Sequence, residues 1–236
     1  MVDEHPAASK EAPVLNFVAG LRHADPGSNR FEYLDRKAIR ICASEAVAAA
    51  IRETELVKGP VVAIPNGVDA EALRALPALE RRTDVLVAAL KQPELGAELA
   101  EALADAGHSV ELLTERVPRD EYLDRVRSSR VATFLPLEEE GFYLPPLEAM
   151  ALGTLVVCPD CVGNRSFCVR GETCLVPAYS RSDILDSAEA ALALPPEQAD
   201  ALVAGALRAA DNHSLAAERR AFLHVLDRLD ELWAES

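Results

Sequence analysis

From Asp84 to Val176, short β-branched runs alternate with helical stretches, and this rhythm narrows the possible folds more than any other feature of the chain. The runs Val85–Leu90, Ser109–Leu113, Val131–Leu135, Leu155–Cys158 and Thr173–Val176 read as strands. Pro93–Ala106, closed by Gly107, and Arg119–Ser128 read as helices, and a third helix opens near Pro145. Strands joined by helices of ten to fourteen residues lie parallel, in a sheet covered on both faces. The expected class is therefore α/β with a Rossmann-like parallel sheet. Ligands of such sheets bind beyond the carboxyl ends of the strands. Lys91, Glu140 and the loop after Cys158 fall at such ends.

The front of the chain repeats the pattern in shorter form. Residues 14–19 read as a strand ending at Gly20, followed by the polar loop Leu21–Asn29, a helix over 30–38 and a strand Ile39–Ala43. Ser44 is a good N-cap for a helix Glu45–Glu53, and a strand Val61–Ile64 breaks at Pro65-Asn66-Gly67. The tail, 181–235, reads as helical with a break at Pro195-Pro196. The resulting organisation is a flexible N-terminus over 1–12, a partial first domain over 13–76, a complete second domain over 84–200, and C-terminal helices over 201–236.

A net charge of −15 argues against nonspecific nucleic-acid binding, because a polyanion is held by clustered cations. No apolar run approaches the roughly 20 residues of a membrane span, and residues 1–13 lack the apolar core of a secretory signal. A cytoplasmic location is the expectation. Cys158, Cys161, Cys168 and Cys174 stand as C-x2-C-x6-C-x5-C. That spacing is unusual for zinc and a reducing compartment disfavours disulfides, so buried or loop thiols are expected.

The stretch most telling for function is Glu140-Gly-Phe-Tyr-Leu-Pro-Pro-Leu-Glu148. Proline suits the first turn of a helix, where its missing N–H has no partner. The junction of loop and helix presents free backbone N–H groups on which a phosphate can sit. Carboxylates at both flanks suit a ligand with hydroxyls on either side of a diphosphate, such as a nucleotide sugar.

Glu140 to Val157 resembles the E-x7-E signature of retaining glycosyltransferases of the GT-B fold, family-4 type (glycosyl transferases group 1). Ile41–Ile51 and Ile64–Leu73 match the segments that close the first domain of that family and lead into its hinge. By this resemblance Glu148 takes the nucleotide's ribose hydroxyls. Glu140 faces the donor sugar, where a carboxylate also stabilises positive charge at the anomeric carbon. The amides of Phe142, Tyr143 and Leu144 hold the distal phosphate, Val117 lines the base pocket, and His23 is the candidate for polarising a hydroxyl. The resemblance implies transfer with retention from a nucleoside-diphosphate sugar to an unknown acceptor, without metal or other cofactor.

Departures are as informative. Tyr143 stands where relatives carry a glycine, which narrows the pocket or turns the loop. The family's phosphate-neutralising Arg and Lys fall on Leu90 and Leu95, so both cations are gone. Lys91 and Arg165 are the candidate replacements, and Arg119 reads equally as a surface residue at a helix start. The first hundred or so residues that the family implies have no counterpart. A second subunit, a homo-oligomer, or a catalytically incomplete nucleotide-binding partner of another glycosyltransferase all stay open.

Overall fold

A computed structural model describes residues 12–235; the expected flexible N-terminus lies, but for residue 12, outside the described residues. In chain order the strands are β1 Leu15–Val18, β2 Ile39–Cys42, β3 Val61–Ala63, β4 Thr83–Ala88, β5 Val110–Leu113, β6 Ser129–Phe134 and β7 Leu155–Val157. The α-helices are α1 Glu45–Glu53, α2 Ala70–Arg74, α3 Pro93–Asp105, α4 Arg119–Arg127, α5 Leu144–Ala151, α6 Arg181–Leu192, α7 Pro196–Asn212, α8 Leu215–Asp227 and α9 Leu229–Ala234. These elements form two compact units, residues 12–65 with 219–235, and residues 66–218. Among the described residues no helix is long and apolar enough to cross a membrane.

The first unit is a parallel three-stranded sheet in the order β1-β2-β3. Its central strand alternates, as period-two geometry requires. Cys42 packs with Val18, Leu34, Val47 and Ile51 on one face, and Ile39 and Ile41 pack with Val225 and Leu232 on the other. Ser44 caps α1 as expected, its hydroxyl accepting from the Val47 amide at 3.2 Å. β1 is an edge, and its Phe17 stays 62% exposed, stacked on Phe222 at 5.7 Å.

The helix expected over 30–38 shrinks to a 3-10 turn, Phe31–Asp35. Arg40 and Lys58 supply the reason. The buried Arg40 guanidinium takes the carbonyls of Tyr33, Leu34 and Arg36 at 2.7–3.0 Å, and those of Ala38 and Lys58 at 2.9 and 3.1 Å. The Ala38 amide, which a longer helix would give to Leu34, donates instead to the Lys58 carbonyl at 3.2 Å, and the Leu34 carbonyl accepts from Lys58 at 3.0 Å.

The second unit carries a parallel sheet in the order β5-β4-β6-β7. Leu86, Ala88, Ala132, Phe134 and Val156 face α4, α5 and α7, while Val85, Val87, Val131 and Val157 face α3 and α6. Both faces are thus covered, as the continuous apolar runs require. The expected last strand, Thr173–Val176, is not one: Leu175 alone bridges Val157. Upstream, Thr173 is drawn into a turn, its hydroxyl donating to the Phe167 carbonyl at 2.6 Å. Downstream, Pro177 has no N–H to extend a ladder. The Pro65-Asn66-Gly67-Val68-Asp69 segment is structural. A Cβ on Gly67 would stand 2.5 Å from the Ser214 carbonyl carbon, and Asp69 caps α2 through the Ala72 amide at 3.0 Å.

Replacing Arg40 by methionine, Arg40→Met, keeps the length of the side chain and strands its carbonyl acceptors. Stability measured by urea denaturation falls by on the order of 3 kcal/mol; an unchanged midpoint contradicts this role for Arg40.

Candidate functional site

Three connections converge at the carboxyl ends of β4, β5 and β6. The residues after β4 bring Leu90 and Lys91, those after β5 bring Glu115, Arg116 and Val117, and those after β6 bring Glu140 to Leu144. Lys91, Arg116, Val117, Phe142, Tyr143 and Leu144 line one cleft of about 360 Å³, with Tyr122 and Pro145 in its wall. A cavity of that size falls within the usual range for small-ligand sites.

The loop that opens α5 is held by a close backbone contact. A Cβ on Gly163 would stand 2.6 Å from the Glu140 carbonyl oxygen and 2.7 Å from the Phe142 nitrogen. No residue but glycine fits there unless the loop moves. The Gly163 carbonyl accepts from the Tyr143 amide at 3.1 Å. Of the three amides expected to hold a phosphate, that of Tyr143 is therefore already engaged within the chain. Pro145 and Pro146 carry no N–H, so Leu144 alone offers one among the first three residues of α5. Tyr143 itself sits at φ −106°, a conformation open to any L residue. Its ring is buried, and burial pushes its phenol well above the usual range.

Each carboxylate of the pair has its own cation. Lys91 Nζ stands 3.3 Å from Glu140 Oε1, a buried oxygen that accepts no hydrogen bond. Arg119 Nη1 stands 2.7 Å from Glu148 Oε1, and Glu148 is only 8% exposed. Arg119 is 61% exposed on its side chain, so solvent screens that pair and a ligand hydroxyl can displace it. Tyr122 is half-buried against the core; desolvation, with the Glu148 charge adding to it, raises its phenol far above the usual range.

Other expected residues fall elsewhere. Arg165 is not part of the cleft wall and grips Asp160 by two teeth, Nε to Oδ1 at 3.0 Å and Nη2 to Oδ2 at 2.6 Å. Leu90 lines the cleft, while Leu95 packs into the core under α3. His23 belongs to the first unit, where Nδ1 lies 3.1 Å from the Gly20 carbonyl. That bond needs a proton on Nδ1 and leaves Nε2 as acceptor in the neutral ring. Burial, then the charges of Arg30, Arg22 and Arg40, lower its pKa below 6.5. The four clustered cysteines are buried free thiols in the core behind the loop. Burial pushes the Cys161 thiol up to about 12. Among the described residues no group of three or more His, Cys, Asp or Glu could hold a metal ion.

Sequence reasoning missed Glu115 as a site residue; Arg116 and Tyr122 fall in the segment 116–122 that the family resemblance assigns to the base pocket, and both line the cleft. The signal for Glu115 was position: it follows the carboxyl end of a parallel strand, directly before that segment.

The model of the family described as glycosyl transferases group 1 matches residues 65–212, more than half of the chain. The chain belongs to the glycosyl transferases group 1 family. A search of curated proteins gives no match to it. Solved structures of similar fold include an α,α-trehalose-phosphate synthase (UDP-forming) from Burkholderia vietnamiensis, at TM-score 0.74 and 16% identity, covering 93% of this chain and 70% of that one. Sucrose-phosphate synthase from Thermosynechococcus elongatus gives TM-score 0.68 at 16% identity, covering 92% of this chain and 68% of that one. HepE from Anabaena, in complex with UDP-glucose, gives 0.72 at 14%, covering 92% and 72%. The parallel sheets of this glycosyl transferases group 1 chain are thus of the GT-B type.

Gly163→Ala tests the contact that shapes the loop. The added methyl displaces residues 140–143 and breaks the bond from the Tyr143 amide. Hydrogen exchange of that amide accelerates, and global stability falls by about 1–3 kcal/mol. Wild-type exchange at Tyr143 overturns the geometry.

Proposed function

We propose that the chain binds a nucleoside-diphosphate sugar in the cleft at the ends of β4 and β5 and transfers the sugar to an acceptor with retention of configuration. The observation that carries this reading is a cleft with two carboxylates next to residues of its wall, neither of them in the lining itself: Glu140, with a buried oxygen that accepts no hydrogen bond, stands 3.3 Å from the cleft-lining Lys91, and Glu148 is a nearly buried carboxylate on the first turns of α5. A sugar hydroxyl is a neutral donor that completes Glu140 without introducing charge. Glu148 accepts from the ribose hydroxyls after Arg119 releases it.

In the reaction the bond between the anomeric carbon and the phosphate oxygen breaks, its electron pair leaving with the diphosphate. The acceptor oxygen then bonds the same face of the carbon and gives its proton to the departing phosphate oxygen. Glu140 stabilises the positive charge that develops on the sugar, and Lys91, already beside the cleft, stabilises the negative charge on the departing phosphate. Phe142 and Leu144 add backbone amides at the helix start. No metal is part of the proposal, because side chains and the α5 dipole supply the positive potential.

A second reading is that the chain binds donors without turning them over, as a partner of another subunit. Leucine at positions 90 and 95, and the Arg165 guanidinium spent on Asp160, support it, since all three withdraw charge from the leaving group. Release of sugar from UDP- and GDP-sugars, with and without candidate acceptors, separates the two readings.

Glu148→Ala raises the Kd for the diphosphate nucleotide about tenfold or more, the loss of hydrogen bonds to a charged group. Glu140→Gln lowers kcat by about two orders of magnitude and leaves that Kd within about a factor of two. Unchanged affinity in the first variant removes the donor-site assignment. Transfer is also expected to continue at full rate in EDTA, and its abolition by the chelator refutes the metal-free mechanism.

A further inference from the structure

We infer that Arg116 is the residue that holds the donor's diphosphate in this chain, an assignment that rests on the donor-site reading above. A nucleoside diphosphate brings more than one negative charge into a partly apolar cleft. Taking such charge from water without a paired cation is costly. Backbone amides alone supply little here. Pro145 and Pro146 have no N–H, and the Tyr143 amide is spent on the Gly163 carbonyl. The two positions at which the family resemblance implies cations are Leu90, in the cleft wall, and Leu95, in the core. The charge must come from elsewhere in a protein that carries −15 overall.

The cations nearby differ in how they are committed. Lys91 faces Glu140 at 3.3 Å, Arg119 faces Glu148 at 2.7 Å, and Arg165, outside the cleft wall, pairs with Asp160 at the surface. Arg116 lines the cleft, is exposed, and makes no hydrogen bond or ion pair with any described residue. Its guanidinium therefore has five unspent N–H donors in a planar fork, the geometry that grips two phosphate oxygens at once. It is carried by the connection after β5, a strand that pairs directly with β4, whose own continuation carries Lys91. Two cations from adjacent strand ends thus line the same space as the Leu144 start of α5. Glu115 lines that space too, and its carboxylate repels a diphosphate, which makes an uncommitted cation beside it more necessary.

A phosphate-holding Arg116 and a base-stacking Arg116 differ in one measurable respect. Calorimetric titrations compare UDP with uridine and GDP with guanosine, on the wild type, Arg116→Ala and Arg116→Lys, each first shown by circular dichroism to melt like the wild type. The expected result is that Arg116→Ala weakens the bound diphosphate about tenfold while the matching nucleoside changes by less than about twofold. Arg116→Lys, which keeps the charge and loses the fork, recovers part of that loss. Equal weakening of nucleoside and diphosphate overturns the assignment in favour of base stacking, and no weakening of either overturns it outright. If the wild type binds neither diphosphate, the donor-site reading itself fails and takes this assignment with it. Wild-type diphosphate binding with an unaffected Arg116→Ala, by contrast, leaves the donor site standing and removes only Arg116.

Discussion

The organisation of the second unit follows from a sheet whose central strands have no solvent-facing side. Val85, Leu86 and Val87 on β4, and Val131 and Ala132 on β6, are at most 1% exposed. Strands apolar on both faces must be covered twice, so each connection crosses one face as a helix and re-enters at the same end. The connections leaving β4, β5 and β6 therefore gather at the opposite, carboxyl end. The cleft is formed by these gathered loops, and it inherits its position from the sheet rather than from any residue that lines it.

Within that frame, close backbone approach sets the detail. The loop Glu140 to Tyr143 lies against Gly163 so tightly that a methyl group has no room, and the Tyr143 amide is taken by the same residue. That contact fixes where α5 begins, and with it the placement of Glu148 in the first turns. The segment at Gly67 uses the same device against Ser214. In both places a missing side chain lets two strips of backbone meet, which positions neighbouring groups more firmly than flexible side chains do.

Charge is arranged as local pairs rather than as a basic groove. Arg40, buried in the first unit, gives both terminal guanidinium nitrogens to carbonyls and serves packing. Lys91, in the cleft wall, and Arg119, at the start of α4, each meet one of the two glutamates, so the carboxylates are held in defined places before a ligand arrives. These pairs can exchange partners, since solvent reaches the cation of each, Lys91 and Arg119. Weak pairing suits a site in which hydroxyls and phosphates take over those contacts.

The amino-acid sequence by itself determined the elements and the class of fold. Short apolar runs alternating with helical stretches placed all but the last of the second-unit strands within a few residues, and Ser44 marked the start of α1 at Glu45. The E-x7-E spacing located the loop and helix of the site, while the place of Lys91 after a strand end and the family likeness of the segment holding Val117 named two residues of the cleft wall. These are local properties, fixed by residues close together in the chain. Tertiary structure alone decided which cations were already engaged, that Arg165 turned to Asp160, that the Tyr143 amide met Gly163, and that Arg40 and Lys58 cut short the helix expected over 30–38. Each depends on a partner brought near by packing, and geometry of that kind is written into no single stretch of chain.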